Sequence, residues 1–588
     1  MTLLPTCLQL HTHFCELLFI MGWQRLRSSL AAGLSKLHHS YYSTSSGVIK
    51  SDYPPVPLPR LSFPASVLAA VNEHSLENRT AFICPEINKE VKFKTISDSA
   101  FAFATFLSKS GFHEKDVASA VLANRPEFPS MFLGVTLNGG LMTSTSPLST
   151  EYELQRHFTD SQAKLVITNR QALTNVLKAV QQCGSIKTII CIDDQSSTSL
   201  PPGIQSWNHV LETAPDYNLK LPTVDFERDA VYMPYSSGTA GDPKGVLLTH
   251  KNYIAMTNIF RGYDNFFLTG ALDPPYDKEN EKQILIIPFY HCYGFCMMMI
   301  SILNGCTAVL LSHFKPDTFC SAIQNHRVRW IAIAPPILSF LARSPICANY
   351  DLSSLEGVFS GSAPAPKHIC EELLQKYEHI KCVQQGYGLS ETCMVSHLPD
   401  VLNGQPPGSV GKVLPNLEAK IVDPDTGDIK AHGEMGEICV RGPTVMLGYH
   451  RKPEMTQQCI RDGWMHTGDV GYVDEKGYLY IVDRLKELIK VKGFQVPPAE
   501  LEQILSEHPA ISEAVVVGIP HDRKGEVPKA YVVRQSPSLS EEEVKVYVAE
   551  RVSSHKHLVG GVEFVEKIPK TPSGKPMRRV LRDRNRNS

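Results

Sequence analysis

The 588-residue sequence has no long hydrophobic run, no closely paired cysteines and no surplus of charge. Without about 20 consecutive apolar residues, no membrane-spanning helix is expected. Its 15 cysteines include no C-x-x-C pair, which argues against a zinc ribbon, a thioredoxin-type redox site or a disulfide scaffold and fits a reducing compartment. Because 58 Lys and Arg balance 60 Asp and Glu, no basic surface for nucleic acid is expected.

The first 48 residues also lack acidic side chains, with Glu16 as the exception. Beyond Met21, basic residues alternate with leucines at helical spacing, and a serine-rich run follows over residues 39–46. This composition is typical of a mitochondrial presequence. A start at Met21 would make this presequence cleaner. The alternatives are a disordered extension or a wrongly assigned start, with a cytoplasmic location. Since the chain ends at Ser588 without Ser-Lys-Leu, no peroxisomal address is expected.

The remaining sequence has the texture of an α/β protein. Short apolar runs at residues 165–167 and 188–190 lie between helical stretches and predict buried parallel strands in βαβ units. A capping box at Thr150 and Glu153 opens one of the helices. Residues 404–482 contain many short strands and turns, which predict a small β-rich subdomain. The predicted divisions are an extension over 1–48, a large α/β domain over 49–483, and a small α+β domain over 484–588.

The most informative segment is residues 235–246, YSSGTAGDPKGV. Glycines and hydroxyl residues let backbone N–H groups and side chains surround phosphate oxygens, and Lys244 adds a cation. The G-x-x-x-x-G-K spacing of a Walker A loop is missing. We interpret the segment as an ATP-phosphate loop, with an ordinary turn as the alternative.

Two further segments contain candidate ligands for a nucleotide and its metal. In residues 385–392, QGYGLSET, the glycines allow a planar ring to approach the backbone, and Glu391 is a candidate Mg²⁺ ligand. In residues 462–469, DGWMHTGD, the carboxylate of Asp469 can accept both hydroxyls of a ribose. Taken alone, the first segment is equally compatible with a turn that carries a surface glutamate, and the second is better explained as a hairpin turn.

Two basic segments follow. Residues 483–496, DRLKELIKVKGFQV, place charged groups directly after the predicted domain break, as a hinge with active-site groups would. Residues 569–575, PKTPSGK, present Lys575 on a tight turn. The alternatives are a solvated charged face and a basic tail.

In this order and spacing, the five segments resemble the adenylate-forming superfamily of acyl-CoA synthetases, firefly luciferase and adenylation domains, over roughly residues 55–585. Residues 436–442, GEICVRG, narrow the resemblance to 4-coumarate–CoA ligases and their fatty-acyl or luciferase-like relatives. The resemblance implies a large N-terminal α/β domain and a small, mobile C-terminal domain. It implies that a carboxylate attacks Mg-ATP to give acyl-AMP and pyrophosphate, and that coenzyme A then displaces AMP.

The resemblance also implies roles for individual residues. The catalytic residues are Lys575 for adenylation, Lys490 for thioester formation, His291 beside the carboxylate, and Glu391 as the Mg²⁺ ligand. The ATP or AMP contacts are Ser236, Ser237, Gly238, Thr239, Ala240, Lys244, Gln385, Gly386, Ser390, Asp469, Arg484 and Lys486. The coenzyme A contacts are Lys492, Gly493 and His313. The acyl pocket comprises Tyr293, Met297, Phe359, Ser362, Gly388, Met394 and Val395.

Some positions depart from the family pattern. Met394 and Met297 stand where coumarate ligases usually have proline and a small residue, and two methionines make a flexible apolar wall. The expected substrate is therefore a fatty or other hydrophobic carboxylate, used with ATP, Mg²⁺ and coenzyme A. Asp242 places a negative charge near the phosphates and is expected to weaken ATP binding. The alternatives are a luciferase-like monooxygenase and a catalytically inactive binding protein with the same fold.

Overall fold

The computed structural model describes residues 47–586, except 194–198, 237–242, 273, 279, 401–403, 492–493, 522 and 571–574. Within this part of the chain, no helix is both long enough and apolar enough to cross a membrane. The predicted presequence, residues 1–48, lies outside the described residues except for Gly47 and Val48. The same holds for several predicted site residues: Ser237, Gly238, Thr239, Ala240, Asp242, Lys492 and Gly493.

An eight-stranded sheet forms one layer of the large N-terminal part. Its strands are β4 (Val117–Val121), β5 (Leu141–Thr145), β6 (Ala163–Asn169), β7 (Thr188–Ile192), β8 (Ile204–Ser206), β9 (Ala230–Ser236), β10 (Lys244–Thr249) and β20 (Gly448–Tyr449). They follow the order β20-β10-β9-β5-β4-β6-β7-β8. The pairing of β6 with β7 is parallel, which confirms the strands predicted at 165–167 and 188–190. Burial on both faces explains why such strands are continuous apolar runs.

A seven-stranded sheet forms the second layer. Its strands are β2 (Thr80–Cys84), β3 (Lys89–Lys92), β11 (Lys282–Leu285), β12 (Thr307–Leu310), β13 (Trp330–Ile333), β14 (Gly357–Ser360) and β15 (Cys382–Gln385). Their order is β15-β14-β13-β11-β12-β2-β3, and all neighbours except β2 and β3 are parallel.

Helices cover both sheets and fill the space between them. Those of the large part are α1 (Phe63–Leu76), α2 (Phe93–Lys109), α3 (Phe128–Leu137), α4 (Glu151–Ser161), α5 (Arg170–Gln181), α6 (Trp207–Leu211), α7 (His250–Ala271), α8 (Cys292–Leu303), α9 (Pro316–His326), α10 (Pro335–Arg343), α11 (Lys367–Lys376) and α12 (Pro453–Cys459). The capping box predicted at Thr150 is confirmed at the start of α4. Helix α8 joins the two sheets, because Phe295 stacks on Tyr232 of β9 with ring centroids 3.9 Å apart.

A mostly antiparallel region follows, as the texture of residues 404–482 predicts. Its six-stranded sheet contains β1 (Ile49–Lys50), β18 (Glu418–Val422), β19 (Gly436–Arg441), β21 (Ile460–Arg461), β22 (Trp464–Val473) and β23 (Leu479–Arg484). A separate pair is formed by β16 (His397–Leu398) and β17 (Lys412–Val413).

The C-terminal part is a compact α+β unit with its own core. Its sheet contains β24 (Ile489–Val491), β25 (Phe494–Val496), β26 (Ile511–His521), β27 (Gly525–Arg534) and β28 (Val562–Phe564), and its helices are α13 (Pro498–Ser506), α14 (Glu541–Ala549) and α15 (Arg578–Arg586). Together with the large α/β part, this unit confirms the predicted fold class.

Polar contacts join the C-terminal unit to Asp483, which precedes it, and hold α15 against the rest of the unit. The backbone N–H of Ala499 donates to Asp483 Oδ2 at 2.8 Å. Arg578 of α15 binds both carboxylate oxygens of Glu502, and Arg582 contacts Glu487. Because α15 begins three residues after Lys575, these contacts help to set the position of that lysine.

Candidate active site

The base of the predicted phosphate loop is a β-hairpin. Ser236 at the end of β9 is paired with Lys244 at the start of β10, so the loop between them projects from the sheet. Among the contacts of the described residues, the buried Ser236 hydroxyl has no hydrogen-bond partner. Lys244 Nζ lies 4.9 Å from the centre of the Tyr449 ring, and burial lowers the pKa of this lysine. An unsatisfied hydroxyl and a partly desolvated cation at one loop base suit phosphate oxygens.

Glu391 lies beside this hairpin. It belongs to the 3₁₀ turn Ser390–Thr392 and is buried. The Tyr449 hydroxyl donates to Glu391 Oε1 at 2.8 Å, and Tyr449 is held there because β20 pairs with β10. Within the described part of the chain, Oε2 makes no hydrogen bond. A buried carboxylate with a remaining oxygen fits Mg²⁺, which prefers hard oxygen ligands.

Asp469 and Arg484 form a pair on adjacent strands. The register of β22 and β23 places them opposite each other, and Arg484 Nε lies 2.6 Å from Asp469 Oδ1. Asp469 Oδ2 accepts from the Tyr387 hydroxyl at 2.6 Å. Burial raises the pKa of Asp469, and the charge of Arg484 opposes that shift. Each carboxylate oxygen has a second lone pair, so a ribose can bind beside the existing partners.

Lys575 lies against the same group of charges. It is partly buried, and burial lowers its pKa; the charge of Arg484 acts in the same direction, whereas those of Asp469 and Glu391 oppose it. Lys490, the lysine predicted for the second half-reaction, is exposed on β24. The structure therefore brings one of the two predicted catalytic lysines into the cluster and leaves the other outside.

His291 is the residue that caps the N-terminus of α8. Its Nδ1 accepts from the Tyr293 N–H at 3.3 Å. Burial lowers the pKa of His291 to about 4, and the charge of Lys575 acts in the same direction. The imidazole is therefore neutral at physiological pH, and it does not repel Lys575.

The segment from Gln385 to Ser390 is shaped by close backbone packing. Gln385 Oε1 accepts from the Ala365 N–H at 2.8 Å, so this side chain anchors a neighbouring loop in addition to any nucleotide contact. A Cβ on Gly386 would lie 2.9 Å from Phe359 Cζ, and one on Gly388 would lie 2.1 Å from the Met394 carbonyl oxygen. Gly388 therefore requires glycine because its clash is with backbone, whereas a side chain at Gly386 would displace Phe359.

A mostly apolar cavity, partly open to solvent, lies between α7, α8 and the seven-stranded sheet. Met297 and Phe359, both predicted pocket residues, line it. Tyr293 and Met394 pack in the apolar cluster that borders these two residues, whereas Ser362, Gly388 and Val395 are not in the wall. The lining is Phe260, Tyr263, Gln283, Ile284, Leu285, Ile286, Ile287, Gly294, Met297, Ile300, Trp330, Ala332, Phe359, Gln384 and Leu398.

Most of that wall was not identified from the sequence. The three-residue spacing of Gly294, Met297 and Ile300 would have identified one face of α8. In the sequence alone, residues 283–287 cannot be distinguished from other buried residues of the core. Two other predicted residues are exposed: Lys486, whose charge acts on Lys244, and His313, whose Nδ1 lies 2.7 Å from the Ser312 hydroxyl.

Similarity to known proteins agrees with this geometry. Residues 69–450 match the family of AMP-binding enzymes, and residues 500–575 match the AMP-binding enzyme C-terminal domain. A relative from Dictyostelium discoideum, described as probable 4-coumarate–CoA ligase 1, is 36% identical over 554 residues, which is 91% of this chain and 97% of the relative.

Two solved structures extend the comparison. ATP-bound MatB from Rhodopseudomonas palustris has a TM-score of 0.78 and 26% identity, covering 89% of this chain and 99% of that one. The o-succinylbenzoate CoA synthetase of Bacillus subtilis, in complex with its acyl-adenylate intermediate, has a TM-score of 0.72 and 26% identity, covering 88% and 98%. Both proteins share the architecture seen here, and their structures contain the nucleotide or the adenylate.

Proposed function

Because this chain belongs to the family of AMP-binding enzymes, as an acid–thiol ligase of the 4-coumarate–CoA ligase-like group, we propose that it activates a fatty acid as acyl-AMP and transfers it to coenzyme A. The observation that carries the choice of substrate is the apolar cavity between α8 and the seven-stranded sheet. Ligand pockets that are lined mainly by hydrophobic and aromatic side chains take apolar ligands.

The extent of the cavity wall along β11 supports an extended alkyl chain. Five consecutive residues, 283–287, contribute to its wall, which corresponds to roughly 13 Å along a strand. Met297 and Phe359 are in the wall, and both contact the apolar cluster that includes Tyr293, two residues from His291. A chain whose carboxylate lies near His291 can therefore extend between α8 and the sheet.

In the adenylation step, residues of different charge would bind different parts of Mg-ATP. Ser236 and Lys244 would hold ATP phosphates, Asp469 would bind the ribose, and Glu391 would hold Mg²⁺, which supplies charge neutralisation at the phosphates. Lys575 would bridge the substrate carboxylate and the α-phosphate. Preorganised cations of this kind stabilise the charge that develops in phosphoryl transfer without a covalent intermediate.

For thioester formation, Lys575 would leave the active site and Lys490 would enter it. The exposed position of Lys490, and the location of both lysines on the C-terminal unit, are consistent with rotation of that unit about residues 484–488. Alternation of this kind lets one site exclude water during adenylation and then admit a thiol.

A hydroxylated aromatic acid is a second candidate, and one observation favours it. Gln384 is in the cavity wall, and its buried Oε1 has no hydrogen-bond partner among the described residues. A phenolic hydroxyl would satisfy that oxygen. A site with an unpaired buried acceptor discriminates strongly in favour of a ligand that pairs with it.

Pyrophosphate release with ATP and coenzyme A, measured across fatty acids of graded length and across benzoate, cinnamate and 4-coumarate, tests the proposal. Turnover that peaks at one alkyl length supports the fatty-acid assignment. A preference for 4-coumarate over cinnamate that disappears in Gln384→Leu supports the aromatic candidate instead. Silence with every acid would contradict both.

A further inference from the structure

Three side chains that can bind a metal meet on the antiparallel sheet. They lie outside the proposed nucleotide site and outside the apolar cavity. The carboxylate of Glu437, the thiol of Cys439 and the imidazole of His466 have their ligand atoms within 4.8 Å of one another. His466 Nδ1 lies 3.4 Å from Cys439 Sγ and 2.8 Å from Glu437 Oε2. Glu437 and Cys439 are buried, and the side chain of His466 is 14% exposed.

The sheet itself brings these side chains together. Glu437 lies two residues before Cys439 on β19, across a shift in register, and Cys439 is the direct cross-strand partner of His466 on β22. Side chains two residues apart on a strand share a face, and direct cross-strand neighbours lie side by side. The register therefore holds the sulfur and nitrogen ligands in place without loops.

The distances are close to those of a tetrahedral zinc site. Zinc binds thiolate at about 2.3 Å and imidazole or carboxylate at about 2.0–2.2 Å, which separates ligand atoms by roughly 3.3–3.6 Å. The Cys439–His466 distance is in this range, and the Glu437–His466 distance needs to open by roughly half an ångström. A mixed sulfur, nitrogen and oxygen set is one that zinc accepts and Mg²⁺ does not favour.

The guanidinium of Arg461 lies against two of these three side chains, His466 and Glu437. Its guanidinium nitrogen lies 2.7 Å from His466 Nδ1 and 3.7 Å from Glu437 Oε2. The Arg461 side chain is 53% exposed, so it can move into solvent when a cation takes its place. The arginine thus neutralises Glu437 in the metal-free protein.

We propose that Glu437, Cys439 and His466 form a binding site for Zn²⁺ or a similar soft divalent cation, with water as the fourth ligand. Binding transfers the thiol proton of Cys439 to the buffer, so the thiolate and the carboxylate together balance the charge of the ion. This proposal does not depend on the identity of the carboxylate substrate.

The site adjoins the predicted ribose carboxylate. Gly468 donates its N–H to Glu437 Oε1, and Asp469 donates its N–H to the Thr467 hydroxyl, which is itself bound to the carbonyl of Ile438. An ion that moves Glu437 and His466 apart therefore shifts the strand that carries Asp469. We expect bound Zn²⁺ to slow adenylation.

The test is titration of the chelator-treated full-length protein with ZnCl₂ by calorimetry, and with CoCl₂ by absorption. One equivalent of Zn²⁺ and a thiolate-to-cobalt charge-transfer band are expected. Cys439→Ser should remove the band, and His466→Gln should weaken Zn²⁺ binding at least tenfold. Arg461→Ala should strengthen it several-fold, because the competing guanidinium is gone.

Cys370→Ser is the control, since Cys370 is partly buried on α11 and belongs to no such cluster among the described residues. It should bind Zn²⁺ like the unmodified protein. The proposal is overturned if the unmodified protein gives no charge-transfer band, or if Cys439→Ser and His466→Gln bind as tightly as the control. If Cys439→Ser does not fold, Zn²⁺ affinity is compared in the other two variants. The proposal then requires tighter binding in Arg461→Ala and weaker binding in His466→Gln.

Discussion

Two regions of the molecule are built in opposite ways. One is the polar cluster of Lys244, Glu391, Asp469, Arg484 and Lys575, which is the proposed nucleotide site, and the other is the apolar cavity, which is the proposed acyl site. The cluster consists of charged and hydroxyl side chains held by specific partners, such as Arg484 on Asp469 at 2.6 Å and Tyr449 on Glu391 at 2.8 Å. The cavity wall is almost entirely apolar and is held by packing between α7, α8 and four parallel strands. Directional contacts fix the position of an atom, whereas packing fixes a shape.

This difference has a consequence for function. A cluster of directional contacts can serve any acid, because every acid passes through the same adenylate. The cavity has to change with the acid. Substitutions in the cluster should therefore lower the rate with all substrates, and substitutions in the cavity should alter the preference among them.

The largest effect is expected from Lys575→Ala. Removing a preorganised charge from the reacting phosphate should lower acyl-AMP formation by about a hundredfold or more. Thioester formation from supplied acyl-AMP should be retained, because it does not use this lysine. The two half-reactions are measured separately by pyrophosphate release and by acyl-CoA formation. Equal loss in both would contradict the assignment of separate lysines.

Asp469→Asn should reduce both stability and ATP binding. It leaves Arg484 without its charge partner, and a broken buried pair costs about 3–5 kcal/mol. Roughly 2–4 kcal/mol is expected here, because the Arg484 side chain is 34% exposed. The matched control is Asp351→Asn, which should cost much less stability because its partner Arg327 is 58% exposed. Denaturant midpoints compare the two, and similar losses would refute the distinction.

Tyr449→Phe should raise the Mg²⁺ concentration needed for adenylation. A hydrogen bond to a charged acceptor contributes about 1.5–3 kcal/mol, so an increase of roughly tenfold is expected when Glu391 loses its partner. The measurement is pyrophosphate release against free Mg²⁺, with Tyr152→Phe as the control because Tyr152 is 64% exposed. An unchanged Mg²⁺ dependence would mean that Tyr449 does not position Glu391.

Met297→Ala should change substrate preference with little effect on the shared chemistry. One side chain in an apolar pocket is worth about 1–3 kcal/mol of discrimination, so the preferred chain length should increase and the ratio of kcat/KM values should change by roughly tenfold. Met298 is the adjacent residue on α8, fully buried and outside the cavity wall. Met298→Ala should therefore lower stability but leave the preference unchanged; a shift in both variants would contradict the cavity assignment.

The smallest effect is expected from removing residues 1–48. Activity in solution should remain the same, since the cluster and the cavity are formed by later residues. If the basic, serine-rich composition is a presequence, a tagged protein without it should leave the mitochondria. An unaltered distribution in fractionated cells would discard the presequence interpretation.

The short motifs were the part of the site that could be predicted. Ser236, Lys244, Glu391, Asp469 and Arg484 lie within contiguous stretches whose order alone indicates adenylate chemistry, and the structure brings the last four of them and Lys575 within range of one another's charges. The cavity could not be predicted in the same way. Gln283, Trp330 and Leu398 have no motif, and any of them can be read as core.

The sequence by itself determined the fold class, the family and the chemistry of the nucleotide site. Local patterns were sufficient because helix caps, buried parallel strands and phosphate loops depend on residues near one another in the chain. The tertiary structure alone decided the shape of the acyl cavity, the approach of Tyr449 to Glu391 and the cluster of Glu437, Cys439 and His466. Each arises from strand register or helix packing between distant segments, and such contacts leave no local signal in the sequence.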